Sequence, residues 1–320
     1  MTLGFAAAAW QHMRALWPRW TLLPPLPFLA YGAAVAIHGD LRWEHAVMLV
    51  IIPAITYWNA WTKRLVVGLY PIGLVATLYD GMRYVKGLGV SADRVHDCDL
   101  RALELRLFGF SSGGELITPG DWFLTHHSTA LDLYCAVPYG TYIFAILGVA
   151  VILYLRDYHA AQRFGWVFFV TNVAAYVTYH VYPAAPPWYY HAHGCAISMT
   201  ALPSAGPRLL NVDAVLGISY FRGLYARSSD VYGAVPSLHV AYPLLILVEG
   251  WRSLGWIERS LSLVFSLSMG FAAVYLDHHW VVDVTLGAVY GLGSIALVRF
   301  LDARLRRASG ERRYSNSFST

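Results

Sequence analysis

The sequence predicts an all-α fold, a polytopic transmembrane helical bundle with six to eight spans. Of the 320 residues, 57% are hydrophobic and only 13% are charged, whereas soluble domains carry about 25% charged residues. The mean hydropathy is +0.47, and aromatic residues, which anchor proteins at membrane interfaces, make up 15% of the chain. This composition argues against a soluble enzyme, a disordered chain or a disulfide scaffold.

Eight apolar segments are candidate spans, since a helix needs roughly 20 residues to cross a bilayer core. The second and third are short, and the count falls to six if both are interfacial. In the last segment, Gly287 and Gly291 have the spacing that lets helices pack closely. The eight segments cover residues 21–37, 46–60, 65–79, 133–155, 164–183, 236–251, 261–276 and 281–301.

The distribution of Lys and Arg predicts the orientation of these spans. On the side of both termini lie 14 of these residues, against 9 in longer loops on the other side. The termini are therefore expected in the cytoplasm, and the loops 80–132 and 184–235 in the periplasm or lumen. In the first loop, the stretch ADRVHDCDLRALELRLFG predicts an amphipathic helix on the membrane surface. Because topology explains the basic residues, the net charge of +4 predicts no nucleic-acid partner.

The cysteines Cys98, Cys135 and Cys195 form no C-x-x-C pair and are odd in number. We expect them to be inert, with a Cys98–Cys195 disulfide as the alternative.

The first segment that suggests chemistry is GAVPSLH, residues 233–239, which precedes an apolar run. Pro236 suits the first position of a helix and would leave unpaired backbone N–H groups near Ser237 and His239. Such a helix start binds anions. The alternative is a capped helix start with a hydrogen-bonded histidine and no ligand.

The second segment is YLDHHWVVD, residues 275–283. His279 and Asp283 are four residues apart, so on a helix the carboxylate can accept a hydrogen bond from one imidazole nitrogen and leave the other basic. A catalytic histidine is oriented in this way. One alternative is an ion pair without chemistry. Another is a metal site of His278, His279 and Asp283, which is disfavoured because adjacent histidines diverge on a helix.

A cytoplasmic loop separates the two segments, so both histidines are expected on the same extracytoplasmic side. Their residues resemble motifs of the type 2 phosphatidic acid phosphatase superfamily, roughly K-x6-R-P, P-S-G-H and S-R-x5-H-x3-D. Residues 236–239 match the second motif with Leu in place of Gly, and His279-x3-Asp283 matches the end of the third. Two alanines replace the Ser-Arg pair of the third motif, and no Lys or Arg between residues 163 and 208 supplies the first.

With these departures, the sequence resembles the inositolphosphotransferase branch of the superfamily, the inositol phosphorylceramide synthase-like proteins. In that branch G-A-x-P-S-L-H, Y-L-x-H-H-x-x-V-D and A-P-P-W-Y recur, and this chain has all three, the last at residues 185–189. Residues 79–83, YDGMR, resemble its Y-D-x-x-R element.

The resemblance implies a domain organisation. We expect N-terminal spans and the amphipathic segment in residues 1–132, a six-helix catalytic core in residues 133–303, and a basic, disordered cytoplasmic tail in residues 304–320.

The resemblance also implies roles for the catalytic residues. His279 would attack phosphorus, or deprotonate the acceptor, with Asp283 fixing its tautomer, and the intermediate would be a phosphohistidine. His239 would be the general acid for the departing alkoxide. Ser237 and nearby backbone N–H groups would stabilise the phosphoryl oxygens.

Other residues would have to replace the missing phosphate-binding cations. The candidates are Arg227 and Arg222 in the loop before the GAVPSLH segment, with Arg83 as a third. Asp80 and Arg83 would hydrogen-bond a polyol headgroup, or instead form a structural salt bridge. His180, His191 and His193 are assigned no role beyond a phosphate contact.

The expected function is a membrane phosphotransferase that moves phosphoinositol from a phospholipid donor to a lipid hydroxyl such as that of ceramide. Neither metal nor other cofactor is expected, and no protein partner is predicted. The alternative is a lipid phosphate or pyrophosphate phosphatase, with water as the acceptor. A transporter with a proton relay is disfavoured, because its ionisable groups would lie in mid-span.

Overall fold

The computed structural model describes residues 2–85, 88, 90–226, 228 and 231–308, which are mostly helical. The chain divides into two compact units, Met1–Val85 and Lys86–Thr320. The helices of the first unit are α1 (Thr2–Leu16), α2 (Leu26–Ile37), α3 (Trp43–Tyr57) and α4 (Ala60–Val85). The second contains a 3-10 turn (Ala92–Arg94), α5 (Asp97–Phe108), β1 (Phe110–Ser112), β2 (Glu115–Ile117), α6 (Pro119–Thr125), α7 (Thr129–Arg156), α8 (Tyr158–Val181), α9 (Pro187–His193), α10 (Gly206–Leu216), α11 (Tyr220–Tyr225), α12 (Leu238–Gly250), α13 (Trp256–Tyr275) and α14 (Val281–Ala308).

All eight predicted segments correspond to helices, namely α2, α3, α4, α7, α8, α12, α13 and α14. Four of them, α4, α7, α13 and α14, are long and apolar enough to cross a membrane. Even the shortest of these four, α13 with 20 residues, extends for about 30 Å at 1.5 Å per residue. The helical membrane fold predicted from composition is confirmed.

In the second unit, α12 is the central helix of a bundle. It packs against α7, α8, α13 and α14. At one end of α12, the buried carboxylate of Glu249 accepts hydrogen bonds from Arg163 of α8 at 2.5 Å and from Arg299 of α14 at 2.7 Å. This ion triad links three helices of the bundle at the end opposite to His239.

Two helix ends differ from the sequence prediction. α8 begins at Tyr158 rather than at residue 164, because the Asp157 side chain caps it by accepting a hydrogen bond from the Ala160 N–H at 3.0 Å. The tail expected from residue 304 is helical through Ala308, where basic residues favour the negative end of the helix dipole. Residues 309–320 lie outside the described residues.

Short elements before α7 include one that the all-helical prediction missed. The predicted amphipathic helix is present as α5, but β1 and β2 follow it as an antiparallel hairpin with Ser111 opposite Leu116. Gly113 and Gly114 both have positive φ, at 63° and 89°, as tight hairpin turns require. The Gly-Gly pair was the available signal for this hairpin.

The structure corrects the expectation that the cysteines are inert. Cys98 and Cys195 form a disulfide, with their Cα atoms 5.7 Å apart, and Cys135 is buried and free. The disulfide joins the two loops predicted to lie outside the cytoplasm, where oxidising conditions favour such bonds. Since 97 residues separate the two cysteines, local spacing could not reveal the pair.

The predicted close packing of the last helix is confirmed. A Cβ atom on Gly287 would collide with the backbone carbonyl oxygen of Ser237, the residue that precedes α12. One turn later, a Cβ on Gly291 would touch the Cα of Ala241 at 3.7 Å. The absence of a side chain at Gly287 therefore allows the starts of α12 and α14 to meet.

We expect the substitution Gly287→Ala to destabilise the protein by about 1–3 kcal/mol, because the added methyl overpacks this contact. Gly293→Ala is the matched control on the same helix, since a Cβ there meets nothing within 4 Å. The control should be neutral or stabilising, as Ala favours helix over Gly by about 0.5–1 kcal/mol. Thermal unfolding in detergent measures both, and equal stability of the two variants would contradict the contact.

Candidate active site

The two segments singled out in the sequence meet at the starts of α12 and α14. The backbone N–H of Ser237 donates to the carbonyl oxygen of Asp283 at 3.1 Å. This contact brings the two histidines together, with Nδ1 of His239 lying 3.1 Å from Nε2 of His279. The predicted convergence of both histidines is therefore present in the fold.

His279 also lies next to the carboxylate predicted to orient it. Its Nδ1 is 3.5 Å from Oδ2 of Asp283, which is ion-pair range and the outer limit of a hydrogen bond. The same Oδ2 accepts the Trp280 N–H at 3.1 Å, and Asp283 is fully buried. Nδ1 of His279 has no hydrogen-bond partner within the described residues. A proton on Nδ1 would face this carboxylate and leave the Nε2 lone pair toward His239.

Burial keeps His279 neutral. Removal from water lowers the pKa of its imidazole to about 3, although a hydrogen bond with the Ala234 backbone opposes the shift. A neutral imidazole has a free electron pair, which a nucleophile or base requires.

Aromatic rings fix the orientation of His239. The ring of Tyr139 stacks on it with centroids 4.4 Å apart and an angle of 14° between the planes. Tyr142 contacts it in a tilted geometry at 4.7 Å. Two α7 side chains thus hold the first residues of α12 in place.

His278 points to a different partner from His279. Its Nε2 lies 2.8 Å from the Ala205 carbonyl oxygen, so Nε2 carries the proton, and its Nδ1 faces the Tyr225 hydroxyl at 3.4 Å. The two adjacent histidines therefore make different contacts, and they lie in the turn between α13 and α14 rather than on a helix.

The start of α12 lies two residues later than predicted. Leu238 rather than Pro236 is the first helical residue, and Ser237 is the N-cap residue. The Ser237 hydroxyl is buried and has no hydrogen-bond partner among the described residues. A buried polar atom without a partner costs free energy, so its position beside a helix N-terminus suits an anionic ligand.

A cavity of about 110 Å³ opens beside the histidines. It is lined by residues that include His239, His278, His279, Trp188, Tyr225 and Ser204. In the part of the chain that the structure describes, no Lys or Arg lines it.

The APPWY segment contacts both of the segments that meet at the cavity. The Ala184 residue before it pairs with Gly233, and the Trp188 N–H donates to the Asp277 carbonyl oxygen at 2.9 Å. Pro186 and Trp188 line the cavity, whereas Tyr189 is buried in the cluster behind it. The segment forms one wall of the site.

Of the two arginines predicted to bind phosphate in the loop before α12, the structure describes only Arg222, and it does not line this cavity. Arg222 lies on α11 with an exposed side chain, and its backbone N–H donates to Asp213 at 2.9 Å. It is not among the lining residues. Arg227 falls outside the described residues.

Asp80 and Arg83 belong to the first unit, at the end of α4. Asp80 forms ion pairs with Arg83, with Arg42 at 2.7 Å and with His45 at 2.8 Å, and it accepts a hydrogen bond from Tyr31. The salt bridge considered in the sequence analysis is present. Asp80, His45 and Tyr31 also line a cavity of about 350 Å³ within this unit.

Glu104 of α5, which no sequence motif indicated, caps α14. Its two carboxylate oxygens accept the N–H groups of Val281 at 2.9 Å and Val282 at 3.0 Å. These are unpaired donors of the first helical turn, so Glu104 fixes the turn that carries Asp283. The contact spans about half the chain, and no local pattern identifies it.

Comparisons with known proteins give the family. The PAP2 superfamily matches residues 116–297, more than half of the chain. The chain is 31% identical over 251 residues to a phosphoinositol dihydroceramide synthase from Bacteroides thetaiotaomicron, covering 77% of this chain and 81% of that protein.

Two fungal relatives are 28% identical. One is an inositol phosphorylceramide synthase from Candida albicans, matched over 60% of this chain and 40% of its own length. The other is an inositol phosphorylceramide synthase catalytic subunit from Saccharomyces cerevisiae, matched over 59% and 46%. The chain thus spans less than half the length of these fungal proteins. No solved structure matches it.

The resemblance inferred from the motifs is confirmed, and the apolar spans fit a family of membrane enzymes. The chain belongs to the PAP2 superfamily and is an integral membrane protein.

Proposed function

We propose that this chain is a membrane phosphotransferase that moves phosphoinositol from phosphatidylinositol to the hydroxyl group of ceramide or dihydroceramide. The observation that carries the proposal is its similarity, over 81% of that relative's length, to a phosphoinositol dihydroceramide synthase. The geometry of His239, His279 and Asp283 supplies groups suited to the chemistry.

In the first step, Nε2 of His279 attacks phosphorus and the bond from phosphorus to the diacylglycerol oxygen breaks. Asp283 stabilises the imidazolium that forms, through Nδ1. The anionic phosphodiester favours the protonated form of His239, which gives its proton to the departing oxygen. The products are diacylglycerol and phosphoinositol bound to His279.

In the second step, the neutral His239 takes the proton from the ceramide hydroxyl. The ceramide oxygen then attacks phosphorus, and the bond to His279 breaks. His239 ends protonated and His279 ends neutral, so the site returns to its starting state. The 3.1 Å distance from Nδ1 of His239 to Nε2 of His279 supports an acid and a nucleophile that act at one phosphorus atom.

Phosphoryl oxygens would be held by the first-turn N–H groups of α12 and by the Ser237 hydroxyl, which lacks a partner within the described residues. Arg227 is our candidate for an added cation, and Arg222 is a second. For Asp80 and Arg83, contact with a polyol headgroup stays a prediction.

We propose that the site faces the periplasm or lumen and that both termini are cytoplasmic. The excess of Lys and Arg on the side of the termini and the Cys98–Cys195 disulfide on the opposite side support this orientation. The domain boundaries at residues 132 and 303, predicted from the sequence, are part of the same proposal.

Purified protein should convert labelled phosphatidylinositol to diacylglycerol over many turnovers only when ceramide or dihydroceramide is present, and without acceptor it should stop after one equivalent per enzyme. The second product should be inositol phosphorylceramide in an equal amount, because the headgroup is transferred whole. Thin-layer chromatography of both products measures this. Continued diacylglycerol release beyond one equivalent per enzyme without acceptor, or acceptor-independent phosphate release from phosphatidic acid, would contradict transfer and favour the phosphatase.

His279→Ala should abolish turnover while leaving the protein folded, because it removes the nucleophile. Asp283→Asn should lower kcat by roughly 10³-fold or more, since an amide cannot stabilise the charged ring. His126→Gln, an exposed histidine on the same unit, is the control and should retain normal kcat. Steady-state kinetics and unfolding curves are compared, and a folded His279→Ala enzyme with normal activity would refute the assignment.

A further inference from the structure

The end of α13 has an unusual residue at a position that controls the active-site turn. Asp277 has φ 66°, the left-handed region. Its N–H donates to the Val274 carbonyl at 3.1 Å, and the His278 N–H donates to that of Ala273 at 3.2 Å. This is the Schellman pattern, whose left-handed residue is usually Gly. Asp277 therefore sets the direction in which His278 and His279 leave the helix.

The Asp277 side chain ends a chain of four alternating charges. Arg101 of α5 donates to Oδ2 of Asp121 at 2.6 Å. Oδ1 of Asp121 lies 2.9 Å from Nε2 of His191, and Nδ1 of His191 lies 2.8 Å from Oδ2 of Asp277. We call Arg101, Asp121, His191 and Asp277 the ion chain.

His191 is charged in this arrangement, because both ring nitrogens face carboxylates and both must donate. Burial disfavours that charge, but the hydrogen bonds to Asp121 and Asp277 prevail and raise the pKa of His191 to about 9. Burial also opposes ionisation of Asp121, yet His191 and Arg101 hold its pKa well below the usual range. Burial raises the pKa of Asp277, and the hydrogen bond from His191 and the charge of Arg208 on α10 oppose that shift.

Both ends of the ion chain are anchored. The Thr118 N–H donates to Asp121 at 2.7 Å, and Arg101 donates to the Thr118 hydroxyl at 2.8 Å. At the other end, Trp188, at the start of the helix that carries His191, donates its N–H to the Asp277 carbonyl oxygen at 2.9 Å. The left-handed residue is thus held through its backbone and its carboxylate.

We propose that His191 is a positioning residue for the reaction, whose ion pair with Asp277 holds the left-handed turn that aims His279 at His239 and Asp283. The inference rests on the proposed function, in which His279 is the nucleophile. His191 is not among the described residues that line the cavity, so it acts through Asp277 and not on the substrate.

The fold does not depend on this ion pair alone. The start of α14 is capped independently by Glu104, and α13 is packed against α7 and α12. Loss of the ion pair should therefore loosen one turn rather than unfold the bundle.

The first test compares His191→Gln with Asp277→Gly. Glycine removes the carboxylate but adopts the left-handed conformation without steric cost, so it separates the ion pair from the backbone requirement. Each variant should lower kcat by roughly 10- to 100-fold, the effect of a misplacement near 1 Å, with KM within about twofold of the wild type. Because both substitutions remove the same contact, the kcat of the double variant should be no lower than that of the more impaired single variant.

The second test is the pH profile of kcat. Below about pH 9 the imidazole of His191 is charged and donates a hydrogen bond to each carboxylate. Above that pH it loses a proton and with it one of these hydrogen bonds, so wild-type activity should fall as the pH rises through about 9. His191→Lys retains a cation whose ordinary pKa is near 10.4, so it should recover activity and move this limb to higher pH. His191→Gln should lack the limb. His193→Gln, an exposed neighbour on α9, should match the wild type.

The outcomes separate this inference from the proposed function. A wild-type protein without phosphoinositol transfer refutes the proposed function and this inference with it. An active wild type with full activity in His191→Gln or Asp277→Gly overturns the positioning role alone. Activity that falls only in proportion to folded protein, with an unshifted pH limb, assigns His191 to fold stability and also overturns the proposal.

Discussion

The hydrogen bond from the Ser237 N–H to the Asp283 carbonyl oxygen is the contact on which the rest of the site depends. It joins the first turns of two helices that are distant in sequence, and it forms because Gly287 has no side chain to separate them. Glu104 fixes one of these turns from outside the bundle. Because these turns are in contact, the side chains of His239 and His279 lie close together.

Electrostatics then separates two histidines that differ only in their surroundings. His279 is buried with a single carboxylate at 3.5 Å, and burial lowers its pKa to about 3. His191 is also partly buried but bonds two carboxylates, which raise its pKa to about 9. The neutral ring is suited to attack phosphorus, and the charged ring is suited to hold a turn. A fold gives different chemical roles to residues of the same type by shifting their pKa values in opposite directions.

The sequence predicted what depends on local pattern. Apolar runs predicted eight of the helices but not α1, which is as long as α3, because helical periodicity is encoded within a few residues. The i, i+4 spacing indicated that His279 lies near Asp283, although His279 belongs to the turn before α14 and not to a helix. Contacts between distant segments were either not predicted from the sequence or were given only as an alternative. They include the Cys98–Cys195 disulfide, the Glu104 cap and the ion chain through His191. No short spacing identifies such pairs, since the packing of α5, α6 and α9 creates them.

The proposed role of His279 as the nucleophile requires a covalent intermediate, which can be trapped. The enzyme would be incubated with phosphatidylinositol without acceptor, quenched in base because phosphohistidine is acid-labile, and digested for mass spectrometry. A peptide containing residues 275–283 should carry phosphoinositol on His279. This adduct should be absent from the His279→Ala variant and should disappear when ceramide is added. Phosphoinositol on another residue, or inositol phosphorylceramide formed in a single turnover without any protein adduct, would contradict this role of His279.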